Sequence, residues 1–173
     1  MTKQFIFLVG FMGVGKTTLG KRLAHHLKIP FIDTDQLIVQ QEGMEINKYF
    51  DCFGEDQFRA LETKVVQEIN QNNETAVIAV GGGLPCFNEN MNLMNKTGVT
   101  IYLQRPAKEL YQRLLQGKDK RPLIRDLEPD ELLAFITDLL HKREDYYLKA
   151  THTLNRNQQT VEYIKELLSV NNT

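Results

Sequence analysis

The sequence lacks most of the features that mark unusual protein classes. It has only two cysteines, Cys52 and Cys86, without metal-ligand spacing. That argues against a disulfide framework and makes a reducing, cytoplasmic setting the expectation, with both thiols read as small packing residues. His25, His26, His141 and His152 show no metal spacing either. Neither sign of charge dominates: 21 basic and 22 acidic residues nearly cancel, so neither nucleic acid nor an anionic membrane is an expected partner. No apolar run approaches the roughly 20 residues that span a bilayer. The first apolar run starts at Phe5, so no leader peptide is expected. No repeat, low-complexity tract or linker divides the chain, so one domain over 1–173 is expected. Without an obvious apolar surface stripe, a monomer is expected too.

What is present alternates between strand and helix signals, the pattern of an α/β domain. Phe5–Val9 is an apolar run that reads as a buried strand. Gly10-Phe11-Met12-Gly13-Val14-Gly15-Lys16-Thr17 follows and fits G-x-x-x-x-G-K-S/T. Leu19, Leu23 and Leu27 then recur at helical spacing. Strand, glycine loop and helix start together make a phosphate site. Backbone N–H groups of Gly13, Val14, Gly15 and the first helical turn, including Thr18, converge on an anion, and the helix dipole adds positive potential. Lys16 is placed to reach the β- and γ-phosphates of a nucleoside triphosphate, and Thr17 to ligate Mg²⁺.

Further along, Ile29–Asp35 reads as a short strand ending in acid, with Asp33 and Asp35 two apart and so facing one side. At the end of a parallel strand such carboxylates suit a magnesium shell and a proton acceptor; an acidic turn or helix cap is the alternative. Residues 36–53 look mixed, with Gly43 as a break and Ile46, Tyr49, Phe50 and Phe53 as an apolar patch. A helix is predicted from Gly54 to about Asn70, buried through Phe58, Leu61, Val65 and Ile69. Arg59 and Glu62 are neighbours on it. Glu62 is placed to fix the guanidinium toward an incoming carboxylate, although spacing alone favours an ordinary exposed ion pair.

Ala76–Val80 is the clearest buried strand and ends in Gly81-Gly82-Gly83, which suits either close ligand approach or a flexible turn. Val99–Leu103 reads as a strand and Ala107–Gln116 as a short helix. Gly117–Arg125 is cationic and suggests a mobile lid over about 115–126, with a solvated loop as the alternative. Pro129–Ala150 is a long helical stretch, Thr151–Leu154 a weak strand, Asn155–Gln159 a polar loop, and Val161, Ile164 and Leu168 stripe a last helix.

These pieces, in this order, resemble the shikimate kinases. The matching segments are Gly10–Thr17, Phe31–Asp35, Gly54-Glu55 with Phe58-Arg59 and Glu62, Gly81–Gly83, Arg121-Pro122-Leu123, and Arg143 with Tyr147. The resemblance implies a three-layer P-loop kinase fold, a five-stranded parallel sheet flanked by helices, with a mobile lid. It implies ATP and Mg²⁺, and transfer of the γ-phosphate to the 3-hydroxyl of shikimate. Carried over by position, Lys16 and Thr17 serve phosphate and metal, and Asp33 joins the magnesium shell. Asp35 meets the reacting hydroxyl as its candidate base. Arg59, the Gly81–Gly83 strip and Arg143 bind the acceptor between Phe50 and Phe58. Arg121 descends from the lid onto the transferring phosphate, and Arg113 lies near the adenine. Arg156 belongs to the nucleotide side as well, in a loop without the family's proline.

Two rival readings share the phosphate loop: another small-molecule or nucleotide kinase, such as one acting on gluconate or a nucleoside monophosphate, or a nucleotide-binding switch. Asp35 aimed at a hydroxyl argues against an acceptor whose attacking group is already an anionic phosphate. A switch would have no use for the combination of Asp35, Arg59 and Arg143.

Overall fold

The computed structural model describes residues 4–72, 75–116, 124 and 126–170. The elements are β1 (Gln4–Val9), α1 (Lys16–Leu27), β2 (Phe31–Asp33), α2 (Thr34–Glu42), α3 (Ile46–Asn72) and β3 (Thr75–Ala79). They continue as α4 (Asn90–Thr97), β4 (Gly98–Leu103), α5 (Ala107–Leu115), α6 (Pro129–Tyr147), β5 (His152–Leu154) and α7 (Val161–Val170), with 3-10 turns at Leu84–Cys86 and Arg156–Gln158. Five strands form one sheet in the order β2-β3-β1-β4-β5, and every pairing is parallel.

Parallel strands need crossover helices, and these cover the sheet. Hence β1 and β3 read as continuous apolar runs: Phe5, Phe7, Leu8, Val9 and Ala76–Ile78 are buried. Adjacent β1 and β3 send their connections in opposite directions, β1 through α1 toward β2 and β3 across β1 to β4. The crevice at that switch point is where open α/β sheets bind ligands. The phosphate loop, the end of β2 and the glycines after β3 all meet there.

Several expectations change. β2 stops at Asp33, whose side chain caps α2 by accepting from the backbone N–H of Asp35 and Gln36. Asp35 therefore sits in the first helical turn, and the two-residue period of a strand does not relate it to Asp33. Residues 36–53 form α2 and the first part of α3, which consists of two helices meeting at Gly54, whose backbone is not helical (φ 80°, ψ 174°); the helix expected from Gly54 starts at that break. Asn-rich α4 was not expected; its signal was the buried pair Met91 and Met94. α6 ends at Tyr147, and the loop after β5 holds a short 3-10 turn. Of the segment read as a lid, Gly117–Leu123 and Arg125 lie outside the described residues; Ile124 is buried.

Candidate active site

The loop from Gly10 to Gly15 turns through three left-handed or extended positive-φ glycines, at φ 142°, 77° and 109° for Gly10, Gly13 and Gly15. Residues with a Cβ rarely adopt such angles, which fixes glycine at these places. Gly15 starts α1 without a side-chain cap, so no side chain competes for the first-turn amides. Lys16 Nζ reaches back along the loop and donates to the carbonyls of Gly10 (2.7 Å) and Phe11 (3.0 Å). The cavity before it measures about 350 Å³ and is lined by Gly13, Gly15, Lys16, Thr17, Thr18, Asp33, Asp35, Gly81, Gly82 and Arg113, among others. Val14, a residue of the loop itself, is buried.

Thr17 Oγ1 donates to Asp33 Oδ2 at 2.7 Å, while the other Asp33 oxygen caps α2. The cap alternative is thus observed for Asp33, whose second oxygen faces the phosphate loop. A hydroxyl and a carboxylate side by side are hard oxygen donors of the kind a divalent cation such as Mg²⁺ takes. Asp35 stands over Gly81, where a Cβ would lie only 2.8 Å from its Oδ1 and 2.9 Å from Glu62 Oε1. Burial raises the Asp35 pKa above the usual carboxylate range, and the Asp33 charge adds to this, against the pull of Lys16 and Arg59.

Across the glycine strip lies the cationic side. Arg59 is buried, its Nη1 donating to buried Glu62 (2.8 Å) and its Nε and Nη2 to Glu55 (3.2 and 3.0 Å). The exposed pair suggested by spacing is thus corrected to a buried one, because α3 turns this face onto the glycine strip. Three of the five guanidinium N–H groups are committed among the described residues, leaving two. Burial pushes Glu62 up to about 7, against the opposing pull of Arg59, with Asp35 adding to the rise. Phe50 and Phe58 stack 4.5 Å apart beside this group. A Cβ on Gly83 would lie 2.6 Å from Arg59 Nη1, so glycine is what lets the guanidinium lie against the backbone.

Arg143, buried on α6, places its Nη1 3.4 Å from where a Gly82 Cβ would be. One helical turn on, the Tyr147 hydroxyl donates to the Gly82 carbonyl at 2.5 Å. The fold therefore brings Lys16, Thr17, Asp33, Asp35, Arg59, Gly81–Gly83 and Arg143 together along one crevice. Arg113 joins them at the loop, with Nη2 3.4 Å from a Gly15 Cβ position. Arg156 stands on the exposed side, 3.6 Å from Glu109. Arg121 lies outside the described residues. Sequence reasoning missed Phe87, whose ring centroid is 4.3 Å from the Arg59 guanidinium carbon, and the Tyr147 bond to Gly82. No spacing signal pointed to either contact, since their partners are far away in the chain.

A family model described as shikimate kinase matches residues 12–171. The chain is 45% identical over 163 residues to a shikimate kinase of Azobacteroides pseudotrichonymphae, across 94% of this chain and 96% of that one. Among solved structures, shikimate kinase from Bacteroides thetaiotaomicron is 40% identical, with a TM-score of 0.89 over 96% of this chain and 98% of its own. Shikimate kinase from Acinetobacter baumannii, solved in complex with shikimate, is 34% identical, with a TM-score of 0.87 over 98% of this chain and 95% of its own.

Proposed function

The chain belongs to the shikimate kinase family, and from that premise we propose that it transfers the γ-phosphate of ATP to the 3-hydroxyl of shikimate. The observation that carries this reading is the glycine strip after β3. Along it, Asp35 faces the phosphate-loop cavity while Arg59 and Arg143 offer two cations to one carboxylate. A hydroxylated carboxylic acid fits that layout, with the acid end on the arginines and a hydroxyl toward Asp35 and the phosphates.

Phosphoryl transfer asks the protein mainly for alignment and neutralisation of charge. Lys16 supplies positive charge at the transferring group and is already positioned by the loop carbonyls. Asp35 orients the acceptor hydroxyl and takes its proton; its raised pKa brings it closer to the working range of a general base. Arg59 and Arg143 fix the acceptor so that the hydroxyl points along the transfer axis. Arg113 and Arg156 serve the nucleotide side. Thr17 and Asp33 would hold Mg²⁺, which when bound neutralises phosphate charge. Residues 115–126 as a lid, and Arg121 on the phosphate, enter this reading from the sequence alone. We place the enzyme in the cytoplasm as a single-domain monomer; among the described residues, no helix is long and apolar enough to cross a membrane.

The test is ADP release from ATP and Mg²⁺ in the presence of shikimate, gluconate, a nucleoside monophosphate or no acceptor. Release that depends on shikimate is expected. Release only with another acceptor keeps the fold and removes the substrate assignment, and tight ATP binding without acceptor-dependent release favours a switch.

A further inference from the structure

After the Leu84–Cys86 turn, Phe87 is extended, and Asn88 and Glu89 then adopt left-handed backbone (φ 50° and 57°) before α4 begins. Two consecutive residues with side chains in this region are unfavourable, asparagine less so than glutamate. Their surroundings must hold them there, and what they hold in place is informative. The turn grips Arg59 at both ends. The Phe87 ring lies over the guanidinium, 4.3 Å from its carbon to the ring centroid. The Asn88 amide donates to the Arg59 carbonyl (3.3 Å) and to Thr63 Oγ1 (3.1 Å), pinning the turn to α3 where Arg59 leaves it. Glu55 and Glu62 take edges of the guanidinium but leave its faces open. Phe87 closes one face of the guanidinium while remaining 36% exposed itself.

We propose that Phe87 is a positioning residue that clamps Arg59 in the orientation required by the acceptor's carboxylate, and so sets acceptor affinity. This rests on the acceptor reading above. The ring stabilises the cation through its π-face and excludes water from that side, which strengthens the remaining in-plane N–H groups as carboxylate donors. Without it, the guanidinium keeps its two acidic partners and the more distant Phe58 and Phe50 rings (5.5 and 6.0 Å from its carbon) but loses its nearest aromatic contact, which loosens its hold in the crevice.

The experiment compares Phe87→Ala, Phe87→Leu and Phe87→Tyr with the wild type in steady-state kinetics, using shikimate and its methyl ester as acceptors. Wild-type turnover with shikimate is the entry condition; its absence removes the acceptor reading itself and, with it, this inference. Given that turnover, Phe87→Ala and Phe87→Leu are expected to raise KM for shikimate about five- to twentyfold, on the scale of a partly desolvated cation–π contact. kcat and KM for ATP should stay within about twofold, and Phe87→Tyr should restore KM. The methyl ester, which lacks the charge that Arg59 reads, should show no such rise. Phe87→Leu keeps comparable apolar bulk, so the test survives poor folding of the alanine variant. An unchanged KM, an equal rise for the ester, or failure of tyrosine to rescue overturns the proposal.

Discussion

The Thr17 hydroxyl and the Asp33 carboxylate, 2.7 Å apart, join the start of α1 to the end of β2 across the phosphate-loop cavity. Asp33 caps α2 with its other oxygen, so one side chain carries a structural and a chemical role that substitution can separate. Asparagine is as good a helix cap as aspartate but carries no charge. Asp33→Asn should therefore keep stability within about 0.5 kcal/mol while raising the Mg²⁺ concentration needed for half-maximal turnover, whereas Asp33→Ala should also lose about 1 kcal/mol. Urea unfolding beside a Mg²⁺ titration of ADP release checks both, and equal Mg²⁺ dependence in Asp33→Asn would remove Asp33 from the metal site.

Asp35 and Lys16 are expected to affect turnover far more than nucleotide binding. Asp35→Asn keeps the shape but cannot take a proton, and a positioned general base is worth about 10²- to 10⁴-fold. Lys16→Met removes transition-state charge stabilisation, with a loss on the order of 10²-fold or more. Turnover measured together with calorimetric ATP binding separates the two effects. Wild-type turnover in Asp35→Asn would exclude it as the base.

Gly83→Ala tests the close approach after β3. Gly83 has ordinary backbone angles (φ −88°, ψ −21°), so the substitution brings no backbone strain, and its consequence is a methyl group 2.6 Å from Arg59 Nη1. The guanidinium must move. The expected result is a folded protein whose KM for shikimate rises by about tenfold or more, a shift of ~1.4 kcal/mol, with ATP kinetics little changed. A wild-type KM for shikimate would show that Arg59 tolerates displacement.

Glu62 makes stability depend on pH. Its pKa is about 7 in the folded protein against an ordinary 4.5, so between these values the folded state binds the extra proton. Stability relative to a Glu62→Gln variant is thus fully present below about pH 4.5 and is lost as pH rises through about 7. The slope approaches ~1.4 kcal/mol per pH unit where only the folded state is protonated. Denaturant unfolding of both proteins from pH 5 to 8 gives the difference directly. A difference that is flat with pH would mean that Arg59 keeps Glu62 fully ionised.

The residues that the chain alone made readable are those whose chemistry is local. Gly10–Thr17 is a phosphate site because eight consecutive residues supply the turn, the lysine, the hydroxyl and the start of a helix; β1 and β3 declared themselves because burial on both faces demands unbroken apolar runs. The tertiary structure decided what depends on residues far apart. Whether Arg59–Glu62 is an exposed pair or a buried clamp turned on where α3 lies against the Gly81–Gly83 strip, which the i,i+3 spacing does not encode. Asp35 entered the crevice from a helix rather than a strand because Asp33 took up the cap. Phe87 came onto Arg59, and Tyr147 onto Gly82, through contacts spanning 28 and 65 residues of chain. Periodicity reports which face of an element is apolar. Only packing specifies which distant side chain meets that face, and here the acceptor side of the site was built by such meetings.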